Sequence, residues 1–140
     1  IIFPGNHNLD IWYRFAKPSG LGCWYKPGSP SHGGAFRFGE WEPFLVYNRA
    51  LSGSNVIKCS IARQESEDFG CPKPTRLISE LIRKAKPQSI LDTFAGSGTV
   101  LVVGKHHGIH TTGIELSTKS CGIIRRRIIS MNAATGATIR

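Results

Sequence analysis

The chain has 140 residues, enough for one domain with its own core and little room for a second. It carries 18 Lys and Arg against 9 Asp and Glu, and the imbalance lies in the second half, where residues 71–140 hold 11 basic and 3 acidic side chains. That asymmetry suits a polyanion, with nucleic acid the foremost candidate and a basic solvated face the plainer alternative. Cys23, Cys59, Cys71 and Cys121 form no C-x-x-C pair and have no histidine pair at finger spacing, so no metal site is signalled. No run approaches the ~20 apolar residues of a membrane span, and nothing resembles a signal peptide. The expectation is a cytoplasmic protein with free thiols. The chain opens on Ile1-Ile2-Phe3, as if inside a strand, and its one methionine is Met131, which reads as a portion of something longer.

Taken in chain order, residues 1–3 form a short apolar strand ended by Pro4-Gly5-Asn6, a turn signal. Gly22 to Lys26 and Glu42 to Tyr47 read as two further strands, paired as a hairpin across a long Gly/Pro/Ser loop. Residues 49–70 are polar with little periodicity, although Val56 to Ile61 is a weak strand candidate. From Thr75 to Ala85, Leu77, Ile78, Leu81 and Ile82 fall at helical spacing, closed by Lys86-Pro87. Ser89 to Phe94 reads as a buried strand, Gly98 to His107 as a helix stopped by Gly108, and His110 to Leu116 as another strand. Ser117 is the expected N-cap of a last helix to about Met131, with Ile123, Ile124 and Ile128 inward and Arg125, Arg126 and Arg127 near its end. This alternation is that of an α/β protein with a parallel sheet.

In such a sheet, ligands bind beyond the carboxyl ends of the strands, where "DTFAGSGT" falls. Two glycines one residue apart at that place point to backbone in close approach to a ligand. The loop lacks the spacing and the lysine of a phosphate-binding P-loop. Leu101 stands where a dinucleotide-binding fingerprint requires Gly or Ala, which opposes an oxidoreductase. What remains is a tight turn offered to a nucleoside, with Glu115 at the end of the next strand as a carboxylate able to accept from both hydroxyls of a ribose. A helix-entry charge is the plainer account of Glu115.

Three stretches in order, "FGCPKPTRLISELI", "ILDTFAGSGTVLVVGK" and "TGIELSTKSCGIIRRRI", resemble the carboxyl-terminal half of DNA amino-methyltransferases of the permuted class, which act on adenine N6 or cytosine N4. The resemblance covers about residues 71–128, and "GCWYKPG" with "WEPFLVYN" extends a weaker likeness upstream. It implies a Rossmann-like methyltransferase fold, incomplete at its N-terminus, that uses S-adenosylmethionine. The implied layout is a strand and hairpin region over 1–48, a variable segment over 49–70 that could recognise the target, and a cofactor-binding half over 71–131. Asp92, Phe94, Gly96 and Gly98 would line the cofactor site, and Glu115 would hold the ribose. Cys71, Pro72, Lys73 and Pro74 match the motif entering the helix beside the cofactor's methionine end, although a rigid helix entry explains them equally. Thr93 and Val100 depart from the proline and threonine common in the family.

The family's catalytic D/N/S-P-P-Y/F/W stretch, which orients the target amine and stacks on the flipped base, is absent, since the chain contains no Pro-Pro pair. Asp10-Ile11-Trp12-Tyr13 has an acid and an aromatic at the right spacing but neither proline, and no catalytic residue is assigned. Lys26 and Arg37, among Trp24, His32, Phe38 and Trp41, are the candidate contacts to double-stranded DNA. Trp24 and Trp41 as hairpin core, with solvated cations, is the competing account. Three readings follow: a site-specific DNA amino-methyltransferase with a cognate restriction endonuclease as a candidate partner, a non-catalytic remnant that binds cofactor or nucleic acid, and an unrelated oxidoreductase.

Overall fold

The computed structural model describes residues 1–29, 39–61 and 72–135. They fall into two compact units, Ile1–Ile61 with Arg83–Ala85, and Ala62–Ile82 with Lys86–Arg140.

In the first unit, helix α1 (Leu9–Phe15) follows a single 3-10 turn over Asn6–Asn8, and strands β1 (Gly20–Tyr25), β2 (Trp41–Val46) and β3 (Val56–Lys58) form one sheet in the order β2-β1-β3. β1 and β2 are antiparallel, with Gly20 opposite Val46 and Tyr25 opposite Trp41, so the expected hairpin exists. β3 joins β1 in parallel, Cys23 opposite Val56. Pro43 sits inside β2 without damaging this ladder. Its partner Cys23 sends its own N–H the other way, to the Asn55 carbonyl at 2.8 Å, so 23 and 43 form a non-hydrogen-bonded pair that needs no donor from residue 43. The expected strand over residues 1–3 shrinks to one bridge, in which Ile2 and Leu45 exchange backbone hydrogen bonds of 2.9 and 2.8 Å.

Trp24, Phe44, Leu45, Val46, Ile57 and Cys59 are buried here. The indole of Trp24, 2% exposed, donates from Nε1 to the Cys59 carbonyl at 2.7 Å, which satisfies its one polar atom in an apolar setting. α1 has no counterpart in the sequence reading. It buries none of its residues and leaves Ile11, Trp12, Tyr13 and Phe15 exposed; its apolar side chains spread over several sides of a seven-residue helix and mark no single core-facing stripe.

In the second unit, helix α2 (Thr75–Ala85) has the expected bounds and buries Leu77, Ile78, Leu81 and Ile82; its last turn, Arg83–Ala85, is grouped with the first unit. It ends at Lys86 in the left-handed region (φ 44°), whose N–H donates to the Ile82 carbonyl at 2.8 Å. Strands β4 (Ser89–Asp92) and β5 (His110–Gly113) pair in parallel, and helix α3 (Thr99–His106) connects them. α3 lies so near the sheet that a Cβ on Gly104 would stand 2.3 Å from the Thr111 methyl. Glycine is therefore required at 104 for the helix to reach this strand pair. β4 is not the fully buried strand expected. Ile90, which approaches Gly104, is half-buried, whereas Leu91 on the opposite face of the pleat is exposed. Helix α4 (Thr118–Thr135) starts one residue after Ser117, whose Oγ accepts from the Ser120 amide at 3.3 Å, the N-cap expected there. Because α4 runs to Thr135, the three arginines lie in its middle and not near its end. No helix among the described residues is long and apolar enough to cross a membrane.

Candidate functional site

The register of β4 and β5 sets Asp92 opposite Gly113, so the chain leaves both strands at one end of the sheet. Two short segments, 93–98 and 114–117, meet there. The Ile114 amide donates to the Asp92 carbonyl at 2.8 Å, and the Ala95 amide to the Ile114 carbonyl at 3.0 Å, which carries the ladder past the strands. Asp92 Oδ1 accepts from the Phe94 amide at 3.1 Å, an Asx turn that bends the chain away from β4. A second turn follows as the Gly98 amide donates to the Ala95 carbonyl at 2.7 Å. Gly96 (φ 52°) and Gly98 (φ 75°) both take the left-handed conformation that this double bend demands.

Glu115 ties the two segments together. Its Oε2 accepts from the Gly96 amide at 2.8 Å and its Oε1 from the Ser117 amide at 2.8 Å. These N–H groups, Ser117 foremost and Gly96 next, favour the charged form and hold the carboxyl below the usual glutamate range. Each carboxylate oxygen retains a second lone pair. Beside this acceptor stand two apolar side chains left in water, Phe94 at 89% exposure and Leu116 at 99%. Asp92, Phe94, Gly96, Gly98 and Glu115 are thus brought to one place.

Gly98 has a second reason to lack a side chain, beside the close ligand approach that the sequence suggests. A Cβ there would stand 2.7 Å from Cγ1 of Ile124, so the turn also approaches α4 closely, in addition to its positive φ. Beneath the turn, Ala95, Leu101 and Ile124 form a buried cluster with Ile128 against it. The buried hydroxyls of Ser97 and Thr99 lie 3.0 Å apart, and Nη1 of Arg127 donates to the Ser97 carbonyl at 2.6 Å and to Thr99 Oγ1 at 3.4 Å. Arg127 and Leu116 were missed as site residues in the sequence. The available signal for Arg127 was its place three residues after Ile124, on the inward side of α4; for Leu116 it was an apolar residue directly after the strand-end acid.

Pro72 and Pro74 are buried, Lys73 is half-buried, and Pro74 is the N-cap residue of α2, its carbonyl accepting from the Ile78 amide at 3.2 Å. Cys71 and Arg37 lie outside the described residues, as do His32 and Phe38. Lys26 Nζ stands 3.5 Å from Glu42 Oε2 and 5.1 Å from the Trp24 ring centroid, with both charged side chains largely covered. Trp24 is core, whereas Trp41 is about half exposed. Asp10 to Tyr13 fall within α1, where first-turn carbonyls are committed to amides four residues on and Asp10 pairs with Arg14 at 3.7 Å.

The family model for DNA methylases of the N6/N4 type matches residues 5–126. The type II methyltransferase M.HindIII of Haemophilus influenzae is 29% identical over 109 residues, covering 75% of this chain and 34% of its own length. The chain therefore spans about a third of that relative. Among solved structures, the M1.HpyAVI–SAM complex superposes with a TM-score of 0.74 at 18% identity, over 91% of this chain and 72% of that one. The cytosine-N4-specific PvuII DNA methyltransferase gives 0.64 at 13% identity, over 87% and 56%. These structural likenesses establish the α/β, Rossmann-like methyltransferase fold. Because that family model spans residues 5–126, well over half of the chain's length, the chain belongs to the N6/N4 DNA methylases.

Proposed function

We propose that this chain is the cofactor-binding and hairpin portion of a site-specific DNA amino-methyltransferase, acting on the exocyclic amine of adenine or cytosine with S-adenosylmethionine as methyl donor. The observation that carries this reading is the Glu115 carboxylate joined to the Gly96 amide at the carboxyl ends of two parallel strands, in a chain of this family. A solved relative of this fold is a SAM complex.

The residues present suit that cofactor. Phe94 and Leu116 offer exposed apolar surface for a purine, and Glu115 between them offers charged acceptors for ribose hydroxyls. Asp92 shapes the turn through the Phe94 amide, and Gly96 and Gly98 keep its backbone free of side chains. Pro72, Lys73 and Pro74, with Cys71 before them, are assigned to the methionine end. The bound cofactor supplies an electrophilic sulfonium methyl. The chain's own contribution is to hold it, since the 140 residues contain no Pro-Pro and hence no D-P-P-Y-type element to orient the target amine. That absence favours, for the chain acting alone, the second reading of a module that binds without transferring.

Double-stranded DNA is the proposed partner, in the cytoplasm of a bacterial, archaeal or phage-infected cell, with a restriction endonuclease as a candidate companion. Lys26 and Arg37 remain the proposed contacts. Lys26 shares its charge with Glu42, so Lys26→Ala is expected to weaken DNA binding only modestly. Equilibrium dialysis with tritiated-methyl S-adenosylmethionine, followed by addition of unmethylated DNA, tests the proposal. Label retained by the protein with none on DNA is expected; a folded chain that retains no label contradicts it.

A further inference from the structure

We infer that Arg127 is a positioning residue for the glycine turn, holding the Ser97 carbonyl so that residues 95–98 are set in their binding conformation before any ligand arrives. The inference rests on the reading of that turn as the cofactor loop.

Of three consecutive arginines, Arg125 and Arg126 are exposed and Arg127 is half-buried. Its Nη1 makes a short charge-assisted bond of 2.6 Å to the Ser97 carbonyl and a longer one of 3.4 Å to Thr99 Oγ1. Ser97 and Thr99 are themselves buried and joined through their hydroxyls at 3.0 Å. The guanidinium thus completes a polar network under the turn, in a place where a bare carbonyl would be costly. One face of α4 makes two contacts of different kinds, since Ile124 packs on Gly98 and Arg127, three residues later, holds the preceding carbonyl.

The turn is consequently pinned from two elements. On the β5 side the Gly96 amide is bound to Glu115, and on the α4 side the Ser97 carbonyl is bound to Arg127. Two adjacent residues, one fixed through its donor and one through its acceptor, leave little freedom to a glycine-containing segment that would otherwise sample many conformations. A ligand that needs this backbone shape then avoids the ordering cost on binding.

The test uses the 140-residue chain with Arg127→Met, which keeps an apolar stem without donors, and Arg127→Lys, which keeps one cationic head. Amide hydrogen exchange is read at Ala95, Gly96 and Gly98, with Lys86, His107 and Ile114 as reference amides, all six hydrogen-bonded. In Arg127→Met the three turn amides should exchange about ten-fold faster with the references unchanged, and S-adenosylmethionine affinity should fall by about ten-fold. Arg127→Lys should recover much of both. Turn amides at the wild-type rate in Arg127→Met overturn the assignment, as do turn and reference amides that accelerate together. Should Arg127→Met unfold, Arg127→Lys decides: faster exchange confined to the turn supports the assignment, and turn amides at the wild-type rate or uniform acceleration overturn it. A wild-type chain that binds no S-adenosylmethionine refutes the functional reading, while exchange still decides the role of Arg127.

Discussion

The Gly96 amide donates to Glu115 Oε2 at 2.8 Å, linking the exit of one strand to the exit of the next across 19 residues. The carboxylate proposed to meet a ribose is therefore also the clasp of the turn. Glu115→Ala is expected to weaken S-adenosylmethionine binding by about ten-fold or more, because it removes an acceptor for the ligand and frees two backbone amides at once. Glu115→Gln, which keeps one acceptor oxygen, should fall between Ala and wild type in calorimetric titration. Unchanged affinity in Glu115→Ala would remove this residue from the site.

The same contacts fix a pH response. The Ser117 and Gly96 amides lower the Glu115 pKa in the folded chain, so its contribution to stability is complete above the ordinary glutamate pKa. It is lost as pH falls through the lowered folded value. Comparing urea midpoints of wild type and Glu115→Gln down the acid range, the difference should shrink toward low pH. A difference that grows on acidification would reverse the sign and contradict the hydrogen-bonding account.

Gly98→Ala should destabilise the protein through two causes. A left-handed φ of 75° costs an L-residue ~1–2 kcal/mol, and the new methyl meets Ile124 at 2.7 Å. A melt followed by circular dichroism should shift down by several degrees, and the loss caused by Gly98→Ala should be smaller in an Ile124→Ala background, where both Cγ atoms that crowd the new methyl are gone. A wild-type melt for Gly98→Ala alone would show that α4 does not press on the turn as described.

In the first unit, Trp24→Phe replaces the buried indole by a smaller ring that has no N–H to offer the Cys59 carbonyl at 2.7 Å. A loss of ~1–3 kcal/mol or more is expected from the lost indole hydrogen bond and the void together, read from chemical denaturation with unchanged slope. No loss would contradict the placing of this indole in the core of the first unit.

The second half of the chain was legible because its elements have a single purpose. α2 carries Leu77, Ile78, Leu81 and Ile82 on one stripe, and its bounds emerged as read. Ser117 capped α4 as its side-chain chemistry indicates. The acid and glycine turn were also visible as neighbours, since strand-turn-helix-strand order brings Asp92, Gly96 and Glu115 to one edge. What escaped was what depends on three-dimensional company. α1 has no core-facing stripe, β4 looked buried because sequence alone does not say that only one of its faces is covered, and the turn motif does not announce that the missing Cβ of Gly98 also makes room for Ile124. Arg127 hid among three arginines, of which helical rotation turns one toward the loop.

S-adenosylmethionine is proposed to bind at the turn closed by Glu115. Calorimetric titration of the 140-residue chain, wild type beside Glu115→Ala, with a circular-dichroism melt of each sample, tests it most directly. One saturable site is expected in the wild type, with a clear loss of affinity in a variant that still melts cooperatively. A wild-type chain that melts cooperatively yet binds no S-adenosylmethionine would contradict the proposal.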